Sequence, residues 1–148
     1  MPLAGGSPGV LASNSNQAQA SGLALDATYV YWTVSGACAS RVGEPPCPTP
    51  SPNAASINRV PIAGGTAVVL ATDAAATGIA VDDKNVYWIT PYDSVKWMPL
   101  APGAAPGVRT LAAGESVYLG PVLAGDAVYW VSVDGAGTSQ IKHTATPE

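Results

Sequence analysis

The sequence predicts an all-β fold, a β-propeller of about three blades, and three observations predict it. First, a near-identical apolar hexapeptide is spelled three times in 148 residues, as YVYWTV (29–34), NVYWIT (85–90) and AVYWVS (127–132). Second, each copy has a glycine ten residues before its tryptophan: Gly22 before Trp32, Gly78 before Trp88, Gly120 before Trp130. Third, the Trp88 to Trp130 interval is 42 residues, the period of one four-stranded propeller blade.

A complete unit reads as four short strands. In the middle copy these are GIAVD (78–82), NVYWIT (85–90), SVKWMPL (94–100) and VRTLAA (108–113). Asp26-Ala27-Thr28 and Asp82-Asp83-Lys84 carry turn chemistry between first and second strands. The second strand has large residues on both faces, Val30 and Trp32 against Tyr31 and Thr33. A half-solvated sheet would alternate with polar residues, so both faces are expected to be covered, as a blade is by its neighbours. The first strand carries Gly22 and Ala24, then Gly78 and Ala80, on one face. Small residues suit the innermost strand, where blades converge. Pro121 in the third copy fits a strand with one edge on the central channel. A further motif, RVPIAGG (59–65), WMPLAPG (97–103) and MPLAGG (1–6), keeps the register on the third strand.

These repeats divide the chain into the end of a blade (1–20), a blade with an insertion (21–73), a blade (77–113) and an incomplete blade (118–145). Met1 aligns with Val60 and Met98, and Ile141 with Ile57 and Val95. The strands thus start and stop inside blades, and three units are too few to close a propeller of four to eight blades. Two explanations compete: a fragment of a longer chain, which the alignment favours, or a half-propeller that pairs with a second copy. In the second case the N-terminal strands 1–3 and 10–13 of one copy would complete the blade 120–143 of the other. Uncovered end faces and unpaired edges predict self-association of the isolated chain, or cover by the remaining blades of a longer one.

Composition excludes several classes. Charged residues are only 11% and hydrophobic ones 47%, which argues against disorder. A net charge of −4 with six scattered Lys and Arg argues against nucleic acid, whose phosphates need clustered bases. No apolar run reaches the ~18–20 residues of a membrane span. The N-terminus MPLAGGSPGV lacks the basic start and apolar core of a signal peptide.

Residue by residue, catalytic chemistry finds little support. The three repeat tryptophans read as core packing. Trp97 shares its repeat position with Arg59 and His143, so that position reads as a partly exposed strand site. His143 is the single histidine and has Lys142 and Thr144 beside it, not the partners of a metal or nucleophilic site. Asp26, Asp82, Asp83 and Asp126 fall in turns. GAGTS (135–139) lacks the lysine of a phosphate loop and reads as a hairpin turn. No catalytic residue, metal ligand or cofactor is expected.

One segment breaks the repeat. Trp88 to Pro99 spans 11 residues but Trp32 to Pro61 spans 29, an insertion of 18 within 34–56. Cys38 and Cys47, the two cysteines of the chain, both lie there. An even pair without metal partners reads as a disulfide made in an oxidising compartment, the alternative being two idle thiols. Strand alternation puts this loop on the face bearing the blade-to-blade crossovers and the channel mouth. The candidate binding residues on that face are Ser35, Arg41, Glu44, Tyr92, Asp93 and Asp134.

The VYW strand, with GIAVD upstream and R-V-P-x-A-G-G downstream, resembles the YWTD-type propeller repeat of lipoprotein-receptor-like proteins, and more closely the divergent copies of bacterial extracytoplasmic propellers. Tyr31-Trp32-Thr33 matches Y-W-T, but Val34 replaces the aspartate, and the other copies read Tyr87-Trp88-Ile89-Thr90 and Tyr129-Trp130-Val131-Ser132. The resemblance implies six blades and ligands at the channel mouth. With the cysteine pair, it implies a periplasmic, surface or secreted location. Two functions follow: a non-catalytic binding or scaffold propeller with a protein or small-molecule ligand, or part of a lactonase- or lyase-like propeller enzyme whose catalytic groups lie in other blades. Gly, Ala, Leu, Ile and Val on the innermost strands favour the first.

Overall fold

A computed structural model describes residues 9–13, 19–35, 55–73, 75–100 and 107–147. Every regular element among them is a β-strand, and the eleven strands form three antiparallel sheets. The first blade is β1 (Gln19–Leu25), β2 (Tyr29–Ser35), β3 (Ser56–Pro61) and β4 (Val68–Thr72), hydrogen-bonded in that order. The second is β5 (Ile79–Val81), β6 (Asn85–Thr90), β7 (Ser94–Pro99) and β8 (Arg109–Ala113). The third has three strands, β9 (Val117–Ala124), β10 (Ala127–Val133) and β11 (Ser139–Ala145). The all-β expectation holds, and β6 has the predicted limits.

Register repeats from blade to blade. Tyr31, Tyr87 and Tyr129 stand opposite Arg59, Trp97 and His143, while Trp32, Trp88 and Trp130 stand opposite Asn58, Lys96 and Lys142. Each blade therefore has a tyrosine face and a tryptophan face. The tyrosine face of one blade packs on the tryptophan face of the next. Tyr31 and Ile57 meet Val86, Trp88 and Met98, and Tyr87, Val95 and Trp97 meet Val128 and Trp130. Each fully buried large side chain in these two clusters contributes about 1.5–3 kcal/mol.

The repeat glycines stand where blades converge. A Cβ on Gly22 would run into the Thr77 carbonyl, and one on Gly78 into the carbonyl of Gly120. Only glycine allows backbones this close. Thr33 adds a hydroxyl hydrogen bond to the same Thr77 carbonyl. Pro121 lies in β9, which pairs with β10 alone, so its missing N–H costs no ladder bond.

Two expectations need correction. Trp97 is buried, with 7% of its surface exposed, not partly exposed. The third blade covers it, and the Arg109 guanidinium caps its ring at 4.9 Å. Its repeat equivalents differ: His143 is exposed because no blade among the described residues covers its face, while Arg59, on a covered face, is half-buried and lays its guanidinium over the Tyr29 ring at 4.5 Å. Residues 10–13 are described but form no strand; the MPLAGG motif lies outside the described residues.

Candidate binding face

The turns on one face of the blades are held by aspartates. Asp26 Oδ1 accepts the Thr28 and Tyr29 amides at 2.6 and 2.7 Å, and its Oδ2 accepts the Tyr31 hydroxyl at 2.7 Å. Asp82 repeats this with Lys84 and Asn85 at 2.8 and 2.6 Å and with the Tyr87 hydroxyl at 2.7 Å. Burial opposes the charge of Asp26, but these bonds and Arg59 hold its carboxyl below the ordinary value. Burial, reinforced by the carboxylate, pushes Tyr31 up to about 12 and raises Tyr87 as well. Protonated tyrosines donating to ionised aspartates are structural locks, with no free base or nucleophile among them.

The opposite face carries the crossovers, and there the structure brings Tyr92, Asp93 and Asp134 onto one surface. The crossover 114–117 stitches them. Tyr92 N–H donates to the Val117 carbonyl at 3.1 Å, Glu115 N–H to the Asp93 carbonyl at 2.9 Å, and Val133 N–H to the Ser116 carbonyl at 2.9 Å. Asp93 accepts the Ser94 hydroxyl at 2.7 Å. Asp134 caps its own hairpin, accepting the Ala136 and Thr138 amides at 2.9 and 2.8 Å. Those amides, the first cause being Thr138, hold its carboxyl below the ordinary value. Tyr92 is different. Pro91 opens a tight turn closed by Asp93 N–H on the Thr90 carbonyl at 3.1 Å. Tyr92 follows with φ +61°, and 74% of it is exposed. Ser35 ends β2 at the same end of the sheet. Arg41, Glu44, Cys38 and Cys47 lie outside the described residues.

Sequence reasoning missed a second set of groups on this face. Asp73, in the crossover before the second blade, accepts Lys96 Nζ at 2.8 Å, the Trp88 indole N–H at 3.0 Å and the Thr90 hydroxyl at 3.3 Å, all at Oδ2. Burial raises its carboxyl, but Lys96, Trp88 and the Ala75 amide outweigh that and leave it below the ordinary value. Glu115 takes the same role in the third blade, accepting Lys142 Nζ at 2.6 Å and the Ser132 hydroxyl at 3.1 Å. Lys142 is the first cause of its lowered carboxyl. The signal was present: each acid stands five residues before a repeat glycine, and each lysine faces a repeat tryptophan across the hairpin. These ion pairs fasten crossovers to blades. Among the described residues no three metal-ligating side chains come together, and no helix is long and apolar enough to cross a membrane.

No family model matches the chain, and no curated protein does. Among solved structures, the crystal structure of a nidogen/laminin complex contains a similar chain, with TM-score 0.61 and 20% identity. The match covers 85% of this chain and 44% of that one, so this chain spans less than half the length of its structural neighbour. At that identity the likeness is one of fold: three blades of a β-propeller.

Proposed function

We propose that the chain is part of a non-catalytic binding or scaffold propeller, of YWTD-like kind, that works outside the cytoplasm and presents its crossover face to a protein ligand. The observation that carries this reading is Tyr92. An exposed aromatic is held in a left-handed conformation that costs a non-glycine residue roughly 1–2 kcal/mol. The turn is fastened to the neighbouring crossover, so the ring stands on a rigid support. Aromatics so presented are the usual anchors of protein interfaces, and retained strain is a reason to look for a function.

The remaining candidates frame that anchor. Asp93 follows it in the same turn, Asp134 stands in the third-blade hairpin on the same face, and Ser35 ends β2; Arg41, Glu44 and the Cys38–Cys47 pair, outside the described residues, complete the proposed set. A disulfide there would order the insertion, contributing at most ~2–3 kcal/mol. The similar structure is, by its title, a complex of nidogen with laminin, which supports looking for a protein partner here. The turn aspartates engaged by tyrosines and amides support a non-catalytic reading.

The experiment is the Tyr92→Gly variant with two readouts. Unfolding in urea is expected to show stability unchanged or raised by up to about 1 kcal/mol, because glycine adopts this φ freely. Binding to a panel of purified extracellular protein domains is expected to fall by tenfold or more at whichever domain the wild-type chain captures. A variant that is less stable and binds equally would make Tyr92 a packing residue and remove the basis of this reading. Turnover of a lactone or ester panel by the wild-type protein would overturn it directly.

A further inference from the structure

The two ends of this stack of blades expose opposite faces. At one end the tyrosine face of the third blade is open: Leu119, Val122 and Ile141 are exposed, Ile141 to 80%, while Tyr129 and His143 stack at 5.4 Å with planes 24° apart. At the other end the tryptophan face of the first blade is open, with Leu23 exposed to 71% and Leu25 and Val69 also in solvent. Residues 9–13 lie over part of that face and leave a cavity of 670 Å³, lined by Leu23, Val30, Trp32 and Val60 among others.

Inside the chain the same two kinds of face meet twice. The residues equivalent to Ile141 are Ile57 and Val95, which are fully buried between blades. The residues equivalent to Val30 and Trp32 are Val86 and Trp88, also fully buried. Both internal junctions thus show what each open face accepts. We propose that the tyrosine face of one copy's third blade seats in the cavity on the first blade of a second copy, and that the reverse contact closes a two-fold ring. The occupant is a second copy because its third blade carries the matching surface in the matching register. This surface is separate from the crossover face, and its test does not depend on what that face binds.

Light scattering over a dilution series of the purified chain is expected to give twice the 14.8 kDa chain mass at micromolar concentration. Ile141→Asp and Leu23→Asp each bury a carboxylate in the proposed contact and are each expected to weaken dimerisation about a hundredfold. Both positions are exposed in the single chain, so the β circular-dichroism spectrum is expected to persist. Monodisperse wild-type monomer at every concentration would overturn the proposal. So would a dimer that ignores both substitutions, or a mass that grows without limit, the mark of a head-to-tail contact that does not close.

Discussion

The second and third blades begin from almost the same words and end in different states. NVYWIT is buried at all six positions of β6, whereas AVYWVSV in β10 alternates between buried and half-buried. The difference is not in the strands. The tyrosine face of β6 is covered by the third blade, and that of β10 is covered by nothing among the described residues. Hydrophobic alternation along a strand is usually written in the sequence; here it is imposed on an unchanging sequence by the presence or absence of a neighbour.

The contrast is sharpest where blades touch, and the largest effect is expected there. Gly78→Ala would press its Cβ into the Gly120 carbonyl, which is backbone and cannot swing away, so the second and third blades must separate. A loss of about 3 kcal/mol or more is expected, read as a lower urea midpoint or as loss of cooperative unfolding. Gly135→Ala, in the third-blade hairpin with open space around it, is expected to change stability by less than about 0.5 kcal/mol. Equal effects at the two sites would mean that the blades do not rely on that close approach.

The ion pairs give an intermediate test of the same contrast. Asp73 and Lys96 are mostly shielded, with 9% and 23% of their side chains exposed, whereas Glu115 and Lys142 are at 19% and 37%. Asp73 also receives the Trp88 indole, while the Trp130 indole N–H, on the Glu115 side of the third blade, finds no partner at ordinary hydrogen-bond geometry among the described residues. Lys96→Met is therefore expected to cost about 2 kcal/mol, and Lys142→Met less than about 1 kcal/mol. Because the folded carboxyl of Asp73 lies below its ordinary value of 3.8, its stabilisation is complete above that pH. It fades as pH falls through the lowered folded value. Urea midpoints at pH 7 and pH 3 are expected to differ less in Lys96→Met than in the wild type; an unchanged difference would place the acid sensitivity elsewhere.

What the sequence made legible is what repeats. Trp97, Arg59 and His143 share one alignment column and stand opposite equivalent tyrosines. The predicted third strand, 94–100, differs from Ser94–Pro99 by one residue. The exposure of Trp97 was not legible, because a column shared with arginine and histidine records the chemistry of a position and not its cover. The partners of Lys96 and Lys142 were hidden for another reason: Asp73 and Glu115 stand outside the strands, in irregular crossovers where no period of two marks a side chain's direction. Tyr92 could be placed on the binding face from strand alternation, but its left-handed backbone could not be foreseen, since tyrosine is rarely found there.

The smallest effect concerns the aspartate–tyrosine lock, which the third blade lacks. Asp26 and Asp82 stand five residues before their tyrosines, and Ala124 holds that place before Tyr129. Tyr31→Phe is expected to cost about 1 kcal/mol and to flatten the alkaline limb of stability. That limb follows from the raised tyrosine: its contribution is whole below the ordinary value of 10 and is lost as pH rises toward about 12. The converse is a graft. Replacing Ala124 by Asp and Asp126 by Thr, with Gly125 kept because its φ is +57°, copies the Asp26 and Thr28 positions and brings a carboxylate toward the Tyr129 hydroxyl. A gain of up to about 1 kcal/mol is expected, read as a higher urea midpoint. Adding Tyr129→Phe to the graft should erase the gain, as a double-mutant cycle requires. If the gain survives that addition, the turn itself supplies it, and the tyrosine of a blade with one open face is held by its stack on His143 instead.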